Sequence, residues 1–166
     1  EIADKCEKFI HGNPSGIDVN QVLSDTPLLF SKEHGAKKLP FSLDSYLLII
    51  DTGVVGITKH TLEHVKDNLK TYKPYIDELG SITKKVIKPL KEKNIDLIGE
   101  YMYKAHSLLK KIGVSHEKND EVVELCKNNN AKGAKLTGGG AGGCCICLCD
   151  TKENALKIQD KLKEKG

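Results

Sequence analysis

At 166 residues with 39% hydrophobic side chains, the chain can bury one substantial core, or one domain and part of another. Its 26 basic and 23 acidic residues are interspersed for a net charge of +3, and 5% of residues are aromatic, which argues against a basic, aromatic-laced surface for nucleic acid. No apolar run approaches the ~20 residues that span a bilayer, and no signal peptide is visible, so no membrane partner is expected.

The chain opens on Glu1, its one methionine is Met102, and residues 1–10 already read as helix, so a fragment cut from a longer protein is expected. A loop follows over 11–17, then a short helix over 17–24 entered at Ser15 as N-cap. PLLFSK (27–32) and YLLIID (46–51) are apolar runs bounded by turn formers and predict strands. DTGVVGIT (51–58) turns into a helix beginning near Thr58, and two further helices are predicted over 74–91 and 94–112. In the second of these Ile95, Ile98, Met102, Ala105, Leu109 and Ile112 recur at three- and four-residue steps, one apolar stripe that Gly113 ends. A helix over 117–129 runs into three consecutive asparagines; AKGAKLT (131–137) and CCICLC (144–149) then read as strands around a glycine loop. Asp150 and Glu153 form a D-x-x-E capping pattern for a last helix sharing Ala155, Ile158 and Leu162 on one face. The layout is α+β: helices packed on a small, largely antiparallel sheet.

The six cysteines are Cys6, Cys126, Cys144, Cys145, Cys147 and Cys149. Alternation along CCICLC puts Cys145, Cys147 and Cys149 on one strand face, and no CxxC pair of the zinc-ribbon type is present. A buried core strand is the favoured reading over a metal site, because a free thiol packs as a small hydrophobe. Reduced thiols point to a cytoplasmic protein.

Two motifs match by spacing and fail in context. Gly138, Gly140 and Gly143 fit G-x-G-x-x-G, but the dinucleotide fingerprint opens a helix, whereas a cysteine-rich strand follows here. His60 to His64 spell H-x-x-E-H, a zinc-protease pattern without a clear third ligand nearby; an ordinary helical face is the favoured reading.

A different constellation carries chemistry. KLTGGGAGGC (135–144) holds five glycines between two strands, far more than a hairpin requires, and its N–H groups could hold phosphate oxygens or support a phosphate loop. Upstream, HGNPSGID (11–18) uses Asn13-Pro14 and Ser15-Gly16 to fix successive turns ahead of Asp18, and Glu7 lies four residues before His11. Each acid alone would read as a solvated helix-end charge. Together they supply the two carboxylate roles of phosphoryl transfer, one holding Mg²⁺ and one accepting an alcohol's proton.

In order, HGNPSGID, DTGVVGIT, GVSH (113–116) and KLTGGGAGG closely resemble the C-terminal half of mevalonate kinases in the GHMP kinase superfamily, with 22–53 similar to the Gram-positive bacterial type. The resemblance implies a ferredoxin-like sandwich, with residues 1–25 as the tail of the N-terminal domain and 26–166 as the C-terminal domain. It implies transfer of the ATP γ-phosphate to the primary hydroxyl of mevalonate. Asp18 then matches the catalytic aspartate, Thr58 a threonine near the transferring phosphate, and Glu7 the Mg²⁺ ligand. Thr137, Gly138, Gly139, Gly140, Ala141, Gly142 and Gly143 match the motif beside the ATP phosphates; His11, Gly12, Ser15 and His106 would frame the substrate. Gly56 stands where some members carry an arginine for the substrate carboxylate. The N-terminal phosphate loop lies outside these residues, so the fragment alone is expected neither to bind ATP tightly nor to turn over. Another GHMP kinase such as phosphomevalonate kinase, or a non-catalytic ferredoxin-like binding module, is the alternative, and oligomeric state is left open between monomer and homodimer.

Overall fold

The computed structural model describes residues 16–56 and 58–165. They form two compact units, one ending at Ser42 and the other beginning at Leu43.

In the first unit, helix α1 (Ile17–Val22) starts from Gly16, not from Ser15 as expected. Gly16 takes the cap position with φ 81°, a left-handed conformation that glycine adopts without a Cβ penalty. After α1, Gln21 ties the chain back: its amide donates to the Thr26 carbonyl at 3.1 Å and its Oε1 accepts from Leu28 N–H at 3.0 Å. Strand β1 (Leu28–Ser31) then pairs antiparallel with β2 (Gly35–Lys38). β2 had no sequence signature, because GAKK lacks apolar alternation and all four residues are exposed; backbone pairing alone makes it a strand.

The second unit is built on a three-stranded sheet. β3 (Tyr46–Asp51) and β4 (Gly133–Leu136) flank the central β5 (Cys144–Cys149), both pairings antiparallel. Between β3 and β4 the chain forms α2 (Thr58–Asp67), α3 (Leu69–Lys85), α4 (Ile87–Glu92), α5 (Ile95–Lys111) and α6 (Glu117–Asn128); α7 (Lys152–Lys163) follows β5. This is the α+β architecture expected, helices on a small antiparallel sheet.

Register explains the core. Leu48, Ile50, Cys145, Cys147, Cys149, Ala134 and Leu136 share one face, since each occupies a directly paired position on alternate residues. Val123 and Cys126 of α6 and Ala155 and Ile158 of α7 cover that face. Cys145, Cys147 and Cys149 are fully buried free thiols, the core-strand role that alternation predicted. Burial pushes the Cys149 thiol up to about 12, so it stays protonated and inert at neutral pH.

Three helix boundaries differ from the sequence reading. The segment expected as one helix over 74–91 is two: α3 begins five residues before Pro74, which lies inside it, and α4 follows a break at Val86. Proline costs a helix one hydrogen bond and some crowding, and here the helix absorbs the loss. In α7, Thr151 rather than Asp150 is the N-cap, accepting from Asn154 N–H at 3.2 Å. Asp150 instead faces Lys132 at 3.5 Å.

Helix α5 is capped by the Asn94 side chain, which accepts from Leu97 N–H at 3.0 Å, and Lys110 and Lys111 close its last turn. It approaches the sheet backbone to backbone: a Cβ on Gly99 would lie 1.9 Å from the Lys132 carbonyl oxygen. That contact carries His106 and the end of α5 toward the β4–β5 connection.

Candidate active site

Thr137 N–H donates to the Cys144 carbonyl at 2.9 Å, which closes the β4–β5 connection and leaves residues 138–143 as its loop. The back half of this loop is pinned residue by residue. Ala141 N–H donates to the Val114 carbonyl at 2.8 Å, Gly142 N–H to Asn119 Oδ1 at 3.0 Å, and Gly143 N–H to the Val54 carbonyl at 2.7 Å. The Gly143 carbonyl in turn accepts from Thr52 N–H at 3.0 Å and from the Thr52 hydroxyl at 2.7 Å. Three consecutive amides are thus held by three separate segments: the α5–α6 connection, α6 itself and the β3–α2 connection.

Close approach makes glycine necessary here. A Cβ on Gly140 would sit 2.1 Å from the Val114 carbonyl oxygen, and one on Gly142 would sit 2.6 Å from that of Val54. Gly56, in the β3–α2 connection, belongs to the same packing: its Cβ would be 2.4 Å from the Gly140 carbonyl oxygen. Position 56 therefore admits no larger side chain unless the loop moves. The front half differs. Gly138 and Gly139 are exposed, and their N–H groups have no partner among the described residues. Exposed, unpartnered amides are suited to anionic oxygens.

A polar network centred on the buried His106 lies behind the loop. Leu136 N–H donates to His106 Nδ1 at 3.3 Å, so His106 carries its proton on Nε2, which donates to Asp120 Oδ1 at 3.2 Å. Asp120 also accepts from the Ser115 hydroxyl at 2.6 Å and from Lys110 Nζ at 2.6 Å. Burial pushes the His106 imidazole below its ordinary range, outweighing the pull of Asp120. For Asp120 burial works upward, but Lys110, Ser115 and His106 together hold the carboxyl below its ordinary value. Lys135 Nζ donates to the Leu136 carbonyl at 2.5 Å, and burial pushes its ammonium down.

Of the residues singled out from sequence, Thr137 to Gly143 lie together in this loop, and His106 is buried behind it. Asp18 is exposed in the first turn of α1, in the other unit. Thr58 opens α2, and its side chain lies outside the description, as do Glu7, His11, Gly12 and Ser15 altogether. His64 Nε2 of the H-x-x-E-H pattern meets the Tyr72 hydroxyl at 3.2 Å across α2 and α3. Sequence reasoning missed Asn119 and Asp120, and gave Val114 no role of its own although it lies within the GVSH motif.

Residues 86–166 match the family described as GHMP kinases C terminal. Its relatives include mevalonate kinases. The mevalonate kinase of Gibberella zeae is 31% identical over 176 residues, covering 96% of this chain and 34% of its own length. The crystal structure of L. major mevalonate kinase in complex with R-mevalonate is 26% identical with a TM-score of 0.83, covering 93% of this chain and 50% of that one. Mevalonate kinase from methicillin-resistant Staphylococcus aureus MRSA252 is 29% identical with a TM-score of 0.71, covering 96% and 51%. The Gram-positive type is thus not singled out among these likenesses. The chain spans between a third and about half of the length of each of these relatives.

Proposed function

We propose that the full-length protein is a mevalonate kinase, transferring the γ-phosphoryl group of ATP to the primary hydroxyl of mevalonate. The observation that carries this reading is the 137–143 loop, whose back half is pinned from three sides while Gly138 and Gly139 are exposed with their amides unpartnered among the described residues. Exposed amides on a fixed frame suit a charge that develops on phosphate oxygens without costing reorganisation. In the reaction the mevalonate C5 oxygen forms a bond to the γ-phosphorus as the bond to the β,γ-bridging oxygen breaks. ADP leaves, and Asp18 takes the hydroxyl proton. His11, Gly12 and Ser15 would frame mevalonate, with Thr58 near the transferring phosphate; His106, buried with both ring nitrogens engaged, would support the loop from behind instead of meeting substrate. Glu7 would hold Mg²⁺, which supplies charge neutralisation across the phosphates when bound.

On this reading residues 1–25 end an N-terminal domain and 26–166 form the C-terminal domain, the enzyme is cytoplasmic, and the phosphate loop lies in that N-terminal domain. Among the described residues no helix is long and apolar enough to cross a membrane. Assaying the full-length protein with ATP against mevalonate, phosphomevalonate and galactose tests the proposal. Preference for mevalonate is expected; preference for either of the others would overturn it.

A further inference from the structure

Asn119 is the third residue of α6, fully buried, and every hydrogen-bonding position of its amide is occupied. Oδ1 accepts from His116 N–H at 3.2 Å and from Gly142 N–H at 3.0 Å. Nδ2 donates to the Gly142 carbonyl at 3.0 Å and to Cys145 Sγ at 3.4 Å. The two backbone N–H groups facing Oδ1 assign the amide's orientation, because a flipped amide would set donor against donor and oxygen against oxygen. One side chain therefore grips both the N–H and the C=O of a single residue in the middle of the glycine loop, as a neighbouring strand would. It also ties that residue to the helix cap and to the core strand below.

The chemistry of the grip is specific to asparagine. Aspartate keeps the acceptor but sets an anionic oxygen against the Gly142 carbonyl, and leucine fills the space while leaving both Gly142 groups unpaired. From this geometry we infer that Asn119 is a positioning residue of the phosphoryl-transfer site, fixing Gly142 so that Gly138 and Gly139 present their amides at a set distance and angle. The inference rests on the kinase reading of the loop. Asn119 touches no substrate; it acts through Gly142. A displacement of the loop on the order of 1 Å would cost about 100-fold in rate.

The test uses the full-length enzyme with Asn119→Asp, Asn119→Leu and, as a stability control remote from the loop, Ile158→Val. Two readouts are taken: amide hydrogen exchange across 138–143 against β4 and β5, and steady-state kinetics with ATP and mevalonate. Both Asn119 variants should exchange faster in 138–143 than in the strands. They should lose about 10- to 100-fold in kcat/KM for ATP per folded molecule, with KM for mevalonate little changed. Ile158→Val should lower the melting temperature without either effect. If Asn119→Leu does not fold, the isosteric Asn119→Asp still gives the reading. Wild-type kinetics in a folded Asn119 variant, or loop exchange that matches wild type, would overturn the inference. An inactive wild-type enzyme would instead sink the kinase reading, and the exchange comparison would still decide whether Asn119 holds the loop.

Discussion

Replacing Gly140 by alanine probes how tightly the glycine loop is framed. The added Cβ would lie 2.1 Å from the Val114 carbonyl oxygen, whereas ordinary contact begins at 3.4 Å, so that oxygen must retreat by about 1.3 Å. The same oxygen accepts from Ala141 N–H at 2.8 Å, and a retreat of that size breaks the bond. Gly140 also has φ 78°, where a side chain costs about 1–2 kcal/mol. Adding a lost hydrogen bond of about 1 kcal/mol gives a destabilisation of about 2–3 kcal/mol. In a domain of this size that lowers the melting temperature by about 5–10 °C. Gly138→Ala is the comparison: φ is 76°, but nothing lies within 4 Å of the added carbon, so it should cost the conformational penalty alone, about 1–2 kcal/mol. Thermal unfolding followed by circular dichroism measures both. Equal losses in the two variants would refute the close contact with Val114 and the frame built on it.

Asp18→Ala in the full-length enzyme should lower kcat by about 100- to 10,000-fold with ATP affinity nearly intact, since the lost proton acceptor serves the other substrate; near-normal turnover would count against its role. Glu7→Gln should raise the Mg²⁺ concentration needed for half-maximal rate, checked by metal titration at fixed ATP. His106 predicts a pH dependence of stability. It is buried neutral, facing Asp120, with Lys110 and Lys135 also in its field. Its folded pKa lies below the ordinary 6.5, so on acidification the unfolded chain binds the proton first. The stability it contributes is complete above that value and is lost as pH falls through the lower folded value. Asp120, also depressed when folded, adds a second loss below its ordinary 3.8. Urea unfolding between pH 7.5 and 5 should show the first loss, and His106→Asn should flatten it.

Elements whose apolar spacing matches their period were legible in the sequence. YLLIID and CCICLC became β3 and β5 with the bounds expected, and the Ile98, Ala105 and Ile112 stripe is buried as its periodicity required. β2 was not legible, because its strand character comes from pairing with β1 and from nothing in its own side chains. Capping competition hid the start of α7: Asp150 and Thr151 are both good N-caps, and the contact of Asp150 with Lys132 helps decide between them. At the site, the glycines announced the loop, while the groups that fix it did not announce themselves. Val114 and Val54 act through carbonyl oxygens, which any residue could supply. Asn119 reads as a surface polar residue until the fold buries it against Gly142. Gly56 read as a missing arginine, and the structure shows it as a close contact with the loop.

The most direct test of the account is to follow the phosphorus itself. Full-length protein, ATP and mevalonate would be incubated with Mg²⁺ and the products read by phosphorus NMR. The account expects a phosphate monoester on the C5 oxygen of mevalonate, formed in step with ADP. Release of free phosphate with mevalonate unchanged, or no consumption of ATP by a folded enzyme, would contradict it.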